Sequence, residues 1–475
     1  MLKQLFGGKR YWSLVFSLAV PIAIQNLLTS SFVLIDTLMI SSLGDVSLAS
    51  VGMAGQWSWL LNLTLFGFSS GASVFFSQYY GDKNLAGIKK TYGIVMLFLS
   101  ISVTVFTILG FLIPKPIISI FNRDAAVLEI GATYLKIAVF SYPAIALNQI
   151  VGVLLRSTGR AKLPMYVAAL TAVLNAALDY ALIFGKFGCP QLGIEGAAIA
   201  TCISAWVGPI VLMSVLIYQK DDIVCAPIRE LLSFTKEDVR LFFNRALPVL
   251  INEVLWGLGT FALNVVYSNM GYEYYAAMTI LKTFENIAFA FFVGLDNACC
   301  IMVGQEIGGG EIKMGLKDAR RFLVLVPTVS ALTAIAVVLF KNELISIFNM
   351  AGTITKTTLD TASKIVIVYA VTMPSRNLLY VIITGVFRSG GDTKTGMRYD
   401  LCCLWGIAVP VAVLSAFVLR LPFVLVYALS IIFEDTPKFI LCLRHFLSKK
   451  LIIPVNETVK NALNEYRKEK GIKNL

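Results

Sequence analysis

Asp36, Asn175, Asp179 and Thr201 are the residues whose types and spacing could do chemistry in this chain. Two carboxylates, an amide oxygen and a hydroxyl make a hard-oxygen set suited to a small hard cation such as Na⁺. The same two carboxylates could instead carry a proton, because crowding and partial desolvation favour the neutral acid. The residues alone leave Na⁺ and H⁺ both open. All four sit in strongly apolar stretches, where a carboxylate costs at least about 2.5–3.5 kcal/mol to insert into lipid. Asp36 shares a helical stripe with Gln25 and Thr29, and Asn175 and Asp179 are one helical turn apart. Counted from the outer ends of their spans, Asp36, Asp179 and Thr201 lie at a common depth of about 9 Å. Equal depth permits one cluster, but sequence does not show that the three faces converge.

The elements that position them are membrane helices. Apolar residues make up 57% of the 475 and charged residues only 14%, with a mean hydropathy of +0.78. Soluble domains carry about 25% charged residues, so the fold class expected is an all-α membrane protein. Twelve apolar spans can be placed, six per half, the last near residues 422–442. The halves are copies. Ile118-Ser119-Ile120-Phe121-Asn122 recurs as Ile345-Ser346-Ile347-Phe348-Asn349, and the same offset relates Pro21 to Pro248, Gln78 to Gln305 and Gly81 to Gly308. Six spans per copy start both halves on one side of the bilayer. The expectation is therefore two six-helix lobes related by a pseudo-two-fold axis along the membrane normal, an architecture of alternating-access transporters. The division is an N-lobe at 1–220, a linker at 221–243, a C-lobe at 244–450 and an amphipathic tail at 451–475. In the tail, Val459, Ala462, Leu463 and Tyr466 share one helical face. In the linker, Thr235 and Asp238 read as a helix N-cap, and Leu231, Leu232 and Phe234 as a patch resting on the inner membrane surface.

The repeat is also a control. The positions matching Asp36, Asn175 and Asp179 in the second half are Leu263, Ile407 and Val411. One bundle forms without these polar groups, which favours function over folding for them. Pro21, fifteen residues before Asp36 on the same helix, makes a bend there cheap and is the candidate hinge.

A net charge of +12 could suggest nucleic acid, but its distribution does not. The loops of one side hold only Lys115, Arg123, Lys186, Lys341, Lys356, Lys364 and Arg420; nearly all other Lys and Arg face the opposite side. This is the positive-inside pattern. It predicts a multi-pass protein of the cytoplasmic (inner) membrane, both termini in the cytoplasm, with no nucleic-acid partner. Arg156 and Arg388, in matching basic loops, then read as snorkelling to head groups together with Arg160. The first span is too long for a signal-peptide core and is expected to be retained. Among eight cysteines there is no metal-ligand spacing, and the single histidine, His445, has no evident partner. No Ser-His, metal-binding or nucleotide-binding motif is present, so an enzyme is not expected, nor a cofactor or bound metal beyond a coupling Na⁺.

The second half has its own intramembrane charges. Lys282 and Glu285, three residues apart, are expected to neutralise each other. Glu253, Glu285 and Arg376 are further candidates for contact with a substrate or ion.

The residues Ile35-Asp36, Ser42-Leu43-Gly44, Gly81-Asp82-Lys83-Asn84, Leu155-Arg156-Ser157-Thr158-Gly159, Asn175 through Asp179, Gly193-Ile194-Glu195-Gly196-Ala197-Ala198 with Thr201, and Gly304-Gln305 occur in this order across twelve spans. Together they resemble the multidrug and toxic compound extrusion (MATE) family, prokaryotic type, over about residues 10–445. The resemblance implies secondary antiport: export of cationic, amphipathic compounds against inward Na⁺ or H⁺, by rocking of two lobes. It also implies a cation site at Asp36, Asn175, Asp179 and Thr201. Some members use acids in spans 7 and 10 as well; here span 10 has Pro374-Ser375-Arg376, and Glu253 does not clearly match. The partners expected are a small organic cation and the lipid bilayer, with the chain acting as a monomer. The alternative on the same scaffold is a flippase or exporter of a lipid-linked or metabolite substrate.

Overall fold

The computed structural model describes residues 7–121, 124–348, 355–448 and 450–469. Arg123, and the Asn122 and Asn349 that end the two copies of the repeat motif, lie outside the described residues. Everything described is helix and connecting turn, apart from one isolated bridge between Gly391 and Ile452. The long helices are α1 (Lys9–Ser41), α2 (Asp45–Gly81), α3 (Leu85–Leu112), α4 (Ala125–Ser157), α5 (Lys162–Phe184) and α6 (Ile194–Tyr218) in the first half. The second half repeats them as α7 (Lys236–Met270), α8 (Tyr272–Gly308), α9 (Ile312–Leu339), α10 (Lys356–Phe387), α11 (Thr393–Val418) and α12 (Phe423–Leu447). A tail helix, α13 (Glu457–Glu469), follows.

Among the described residues, eleven helices, α1 to α11, are long and apolar enough to cross a membrane. The twelfth span expected from sequence exists as α12. It differs because Glu434, Asp435 and Lys438 interrupt its apolar run.

Local chemistry sets the helix ends. Asn84 starts α3 by accepting the Gly87 N–H at 2.8 Å, just after Lys83 turns the chain with φ 57°. Thr235 and Asp238 form the reciprocal cap expected at α7: Thr235 N–H donates to Asp238 at 2.8 Å and Asp238 N–H to Thr235 Oγ1 at 3.2 Å. Gly185 ends α5 in the left-handed region at φ 65°. Pro21 and Pro248 lie inside continuous helices. α10 and α11 carry π-helical turns, at Val381–Phe387, Leu404–Ala408 and Leu414–Val418.

Contacts divide the chain into two compact units that do not follow chain order. The N-terminal unit is Pro21–Phe76 with Asn84–Ala246; the C-terminal unit is Met1–Val20, Ser77–Lys83 and Leu247–Leu475. The division runs through α1 between Val20 and Pro21, and through α7 between Ala246 and Leu247, just before Pro248.

In the N-terminal unit, α5 packs on α6, and α4 packs on α6 and α3. Small residues allow the close approaches: a Cβ at Gly71 would strike Ala246, and one at Gly196 would strike the Leu182 backbone. The linker is tied down inside this unit. Lys89 pairs with Glu230 at 2.7 Å, and Gly93 meets the Leu231 carbonyl. Leu232 is exposed, while Leu231 and Phe234 are half-buried.

In the C-terminal unit, α8, α9 and α10 pack on one another, and α12 packs on α10 and α11. The segment Ser77–Lys83 crosses the end of α8 in a mutual fashion. A Cβ at Gly81 would collide with the Gln305 carbonyl, and one at Gly308 with the Gln78 carbonyl. Gln78 Nε2 also donates to the Ser389 carbonyl at 2.7 Å. The tail packs beneath the same unit through its apolar face: Val459, Leu463 and Tyr466 are buried, and Asn456 donates to Asp82 at 2.9 Å.

Candidate functional site

α1, α4, α5 and α6 supply the polar group of the N-terminal unit. Asp179 is fully buried on α5; Asp36 on α1, with Asn175 and Thr201, is half-buried. The two carboxylates interact electrostatically with each other and with the buried Tyr134 on α4, whose hydroxyl is within hydrogen-bonding reach of Thr201. The faces of α1, α5 and α6 therefore converge, as equal depth allowed but could not show. Both Asp179 oxygens, Asp36 Oδ1 and Asn175 Nδ2 are buried with no hydrogen-bond partner among the described residues. Among the described residues no Lys or Arg acts on either carboxylate. Two acids in a low-dielectric setting without a basic neighbour need a positive charge from elsewhere, which a hard cation or a proton supplies. The oxygens of Asp36, Asp179 and Thr201, with the Asn175 amide one turn from Asp179, suit either.

Tyr134 was missed by the sequence reading. Its signal is faint: one tyrosine in an amphipathic span, with nothing local to tie it to Asp36 ninety-eight positions earlier. Tyr142, one of several aromatics in the spans, is buried and shares a 2.9 Å hydrogen bond with Ser58. A separate cavity of about 300 Å³ between α3 and α4 is lined by residues such as Met96, Leu99, Pro143 and Leu147 and holds none of these acids.

The basic loops are not free to snorkel. Arg156 donates to Gln25 at 3.2 Å, Arg160 pairs with Asp221 at 2.6 Å, and Arg388 pairs with Glu253 at 2.6 Å. Desolvated cations take protein acceptors when packing brings them within reach, and these partners lie far away in sequence. Glu253, offered above as a substrate or ion contact, is thus already held by a guanidinium. His445 has a partner too: its Nε2 lies 2.7 Å from Asp392. Lys282 and Glu285 act on each other electrostatically but make no direct ion pair among the described residues. Lys282 sits 6.0 Å from the centre of the Tyr275 ring, while Glu285 faces Arg376 and Tyr427.

The second half also contains Glu434 and Asp400, which the sequence reading passed over, in addition to Asp296 on the eighth span. Lys438 on α12 pairs with Glu434 at 2.6 Å and with Asp400 at 2.8 Å, and Asn252 donates to the other Asp400 oxygen at 3.2 Å. Asp296, buried on α8, accepts from Thr384 at 2.6 Å.

The MatE family profile matches residues 21–181 and then, a second time, residues 248–414. The chain belongs to the MatE family. The two matches begin at Pro21 and Pro248, the same pair related by the internal repeat. MATE proteins are membrane transporters and not enzymes, and this member is a multi-pass membrane protein of that fold. It is 27% identical to the Bacillus subtilis "Probable multidrug resistance protein YoeA", over 84% of this chain and 86% of that one. It is 27% identical to the Thermotoga maritima "Probable multidrug resistance protein NorM", over 84% of both chains. Its structure resembles the Vibrio cholerae MATE transporter VcmN in the bent form, with a TM-score of 0.81 at 18% identity, covering 96% of this chain and 98% of that one.

Proposed function

We propose that this MATE protein is a secondary antiporter that exports amphipathic organic cations in exchange for Na⁺ or H⁺. The observation that carries the reading is the buried Asp179 beside the half-buried Asp36, with no basic partner among the described residues. Asp36, Asn175, Asp179 and Thr201 are the coupling site, with Tyr134 bracing Thr201. Binding a cation or proton there removes a like-charge repulsion, and its release restores it. That differential biases α1 between two shapes, with Pro21 as the hinge where helix bending is cheap. The chain works as a monomer in the cytoplasmic membrane with both termini inside, as its Lys and Arg distribution favours.

Export of a cationic dye from proteoliposomes, at fixed pH with and without a Na⁺ gradient, tests this. Wild type should export under one of the two imposed gradients, and Asp36→Asn under neither. Absence of export by wild type under both Na⁺ and H⁺ gradients would count against antiport. It would leave transport of a lipid-linked substrate as the reading to pursue.

A further inference from the structure

Each half contains the same tether, built to a different strength. In both, an arginine at the end of the fourth helix reaches the first helix about one turn beyond its proline. In the N-terminal unit, Arg156 in the last turn of α4 donates from Nη1 to the Gln25 amide oxygen at 3.2 Å, four residues after Pro21. In the C-terminal unit, Arg388 at the end of α10 pairs with Glu253 at 2.6 Å, five residues after Pro248. Arg156 matches Arg388 in the internal repeat, as Pro21 matches Pro248. Both partners of each tether lie within one compact unit.

The acceptor is what differs. Glu253 is a carboxylate, and parting the pair takes it from a guanidinium that is only 5% exposed. Gln25 is a neutral amide, and among the described residues no carboxylate acts on Arg156. A hydrogen bond from a cation to a neutral amide is weaker than a buried ion pair. Gln25 and Arg156 are also only half-buried. An arginine in the last turn of a span can turn to water or head groups once it lets go. Gln25 shares a helical stripe with Asp36, eleven residues further along α1. A hold on Gln25 is therefore a hold on the segment that carries a carboxylate of the coupling site.

We propose that Arg156 and Gln25 form a releasable latch on α1, and that Arg388 and Glu253 are the permanent version of the same device on α7. Arg156 is thus a positioning residue, acting through the shape of α1 beyond Pro21. The latch rests on the antiport reading above and adds to it the group that holds α1 in one of its two shapes. A weak hold suits a helix that changes shape in every cycle, and a strong one suits a helix that keeps its shape.

The test uses the full chain in proteoliposomes and gives the first copy the acceptor of the second. Gln25→Glu should fold, melt no lower than wild type, and export dye about tenfold more slowly, because the latch now holds as an ion pair. Adding Arg156→Gln should recover most of that rate, since one charge-assisted hydrogen bond is restored with the charge on the other partner. A tether with a purely structural role predicts normal export by Gln25→Glu. Should Gln25→Glu fail to fold, Gln25→Leu carries the test. Loss of the latch should shift the Na⁺ or H⁺ concentration for half-maximal export about tenfold and change the maximal rate by less than about twofold; an unshifted concentration overturns the latch.

Hydrogen exchange of the α1 amides after Pro21, in lipid nanodiscs, reads the latch without transport. It should slow about tenfold in Gln25→Glu and quicken in Gln25→Leu. Equal exchange in all three proteins, or wild-type export by a folded Gln25→Glu, overturns the latch and leaves antiport standing. Export that stays slow in the double variant also overturns it, the added acid itself then being the cause. Antiport fails separately if wild type moves no dye under either gradient, and the exchange result still decides the latch.

Discussion

Glu253 on α7 and Arg388 at the end of α10 are joined by a 2.6 Å ion pair whose arginine is 5% exposed. In a chain with so few charged residues, such a pair is a structural commitment. Removing Glu253 takes away the carboxylate in direct contact with a buried guanidinium.

Glu253→Gln should therefore destabilise the protein by about 3–5 kcal/mol, and the double variant Glu253→Gln with Arg388→Met by distinctly less. Thermal unfolding in detergent micelles measures both. If the double variant is folded but exports nothing, Glu253 takes part in coupling and is not simply a tether.

Asp36→Asn and Asp179→Asn keep side-chain shape and remove charge. Each should insert and fold normally and lose gradient-driven dye export. Tyr134→Phe should be milder, slowing export about fivefold, because it removes only a hydroxyl within reach of Thr201, a contact worth about 1 kcal/mol. Normal export by both Asn variants would sink the coupling-site assignment.

These cases mark what could be read without coordinates. Helix class, number and order were legible because composition and the internal copy speak directly to them. Asp36, Asn175, Asp179 and Thr201 stood out because polarity is costly in apolar spans. The partners of Arg156, Arg160 and Arg388 were not legible, since side-chain pairing across 61 to 135 positions leaves no periodic trace. α12 shows the opposite failure. A span judged by its average apolarity conceals Glu434, Asp435 and Lys438, whose charges are satisfied or faced by residues on other helices.

The linker offers a prediction outside the membrane. Burial would push the Asp221 carboxyl up, but the Val224 N–H, Arg160 and the Ile223 N–H outweigh it and hold it below the usual carboxylate range. The stability this provides is complete above the unfolded-state value of about 4 and is lost as pH falls through the lower folded-state value. Asp221→Asn should cost about 1–3 kcal/mol at neutral pH. The gap in melting temperature from wild type should stay constant between about pH 6 and 8 and shrink below about pH 4. A gap that instead widens on acidification would contradict the pairing.

Gly81→Ala and Gly308→Ala should each destabilise by about 1–3 kcal/mol through overpacking. Together they should cost less than the sum, because one displaced crossing accommodates both. Gly52→Ala is the control: nothing lies within 4 Å of a Cβ there, so it should be neutral or stabilising by about 0.5–1 kcal/mol in melting experiments.

Gly81 resting on the Gln305 carbonyl, and Gly308 on that of Gln78, is an isologous contact, with each copy presenting the same surface to the other. A contact of this two-fold kind is the geometry by which two separate copies of one chain pair. Held within one chain, the two sides of the contact belong to different residues and are free to differ. The acids retained in a single copy, at Asp36 and Asp179 but not Leu263 and Val411, are what such freedom permits.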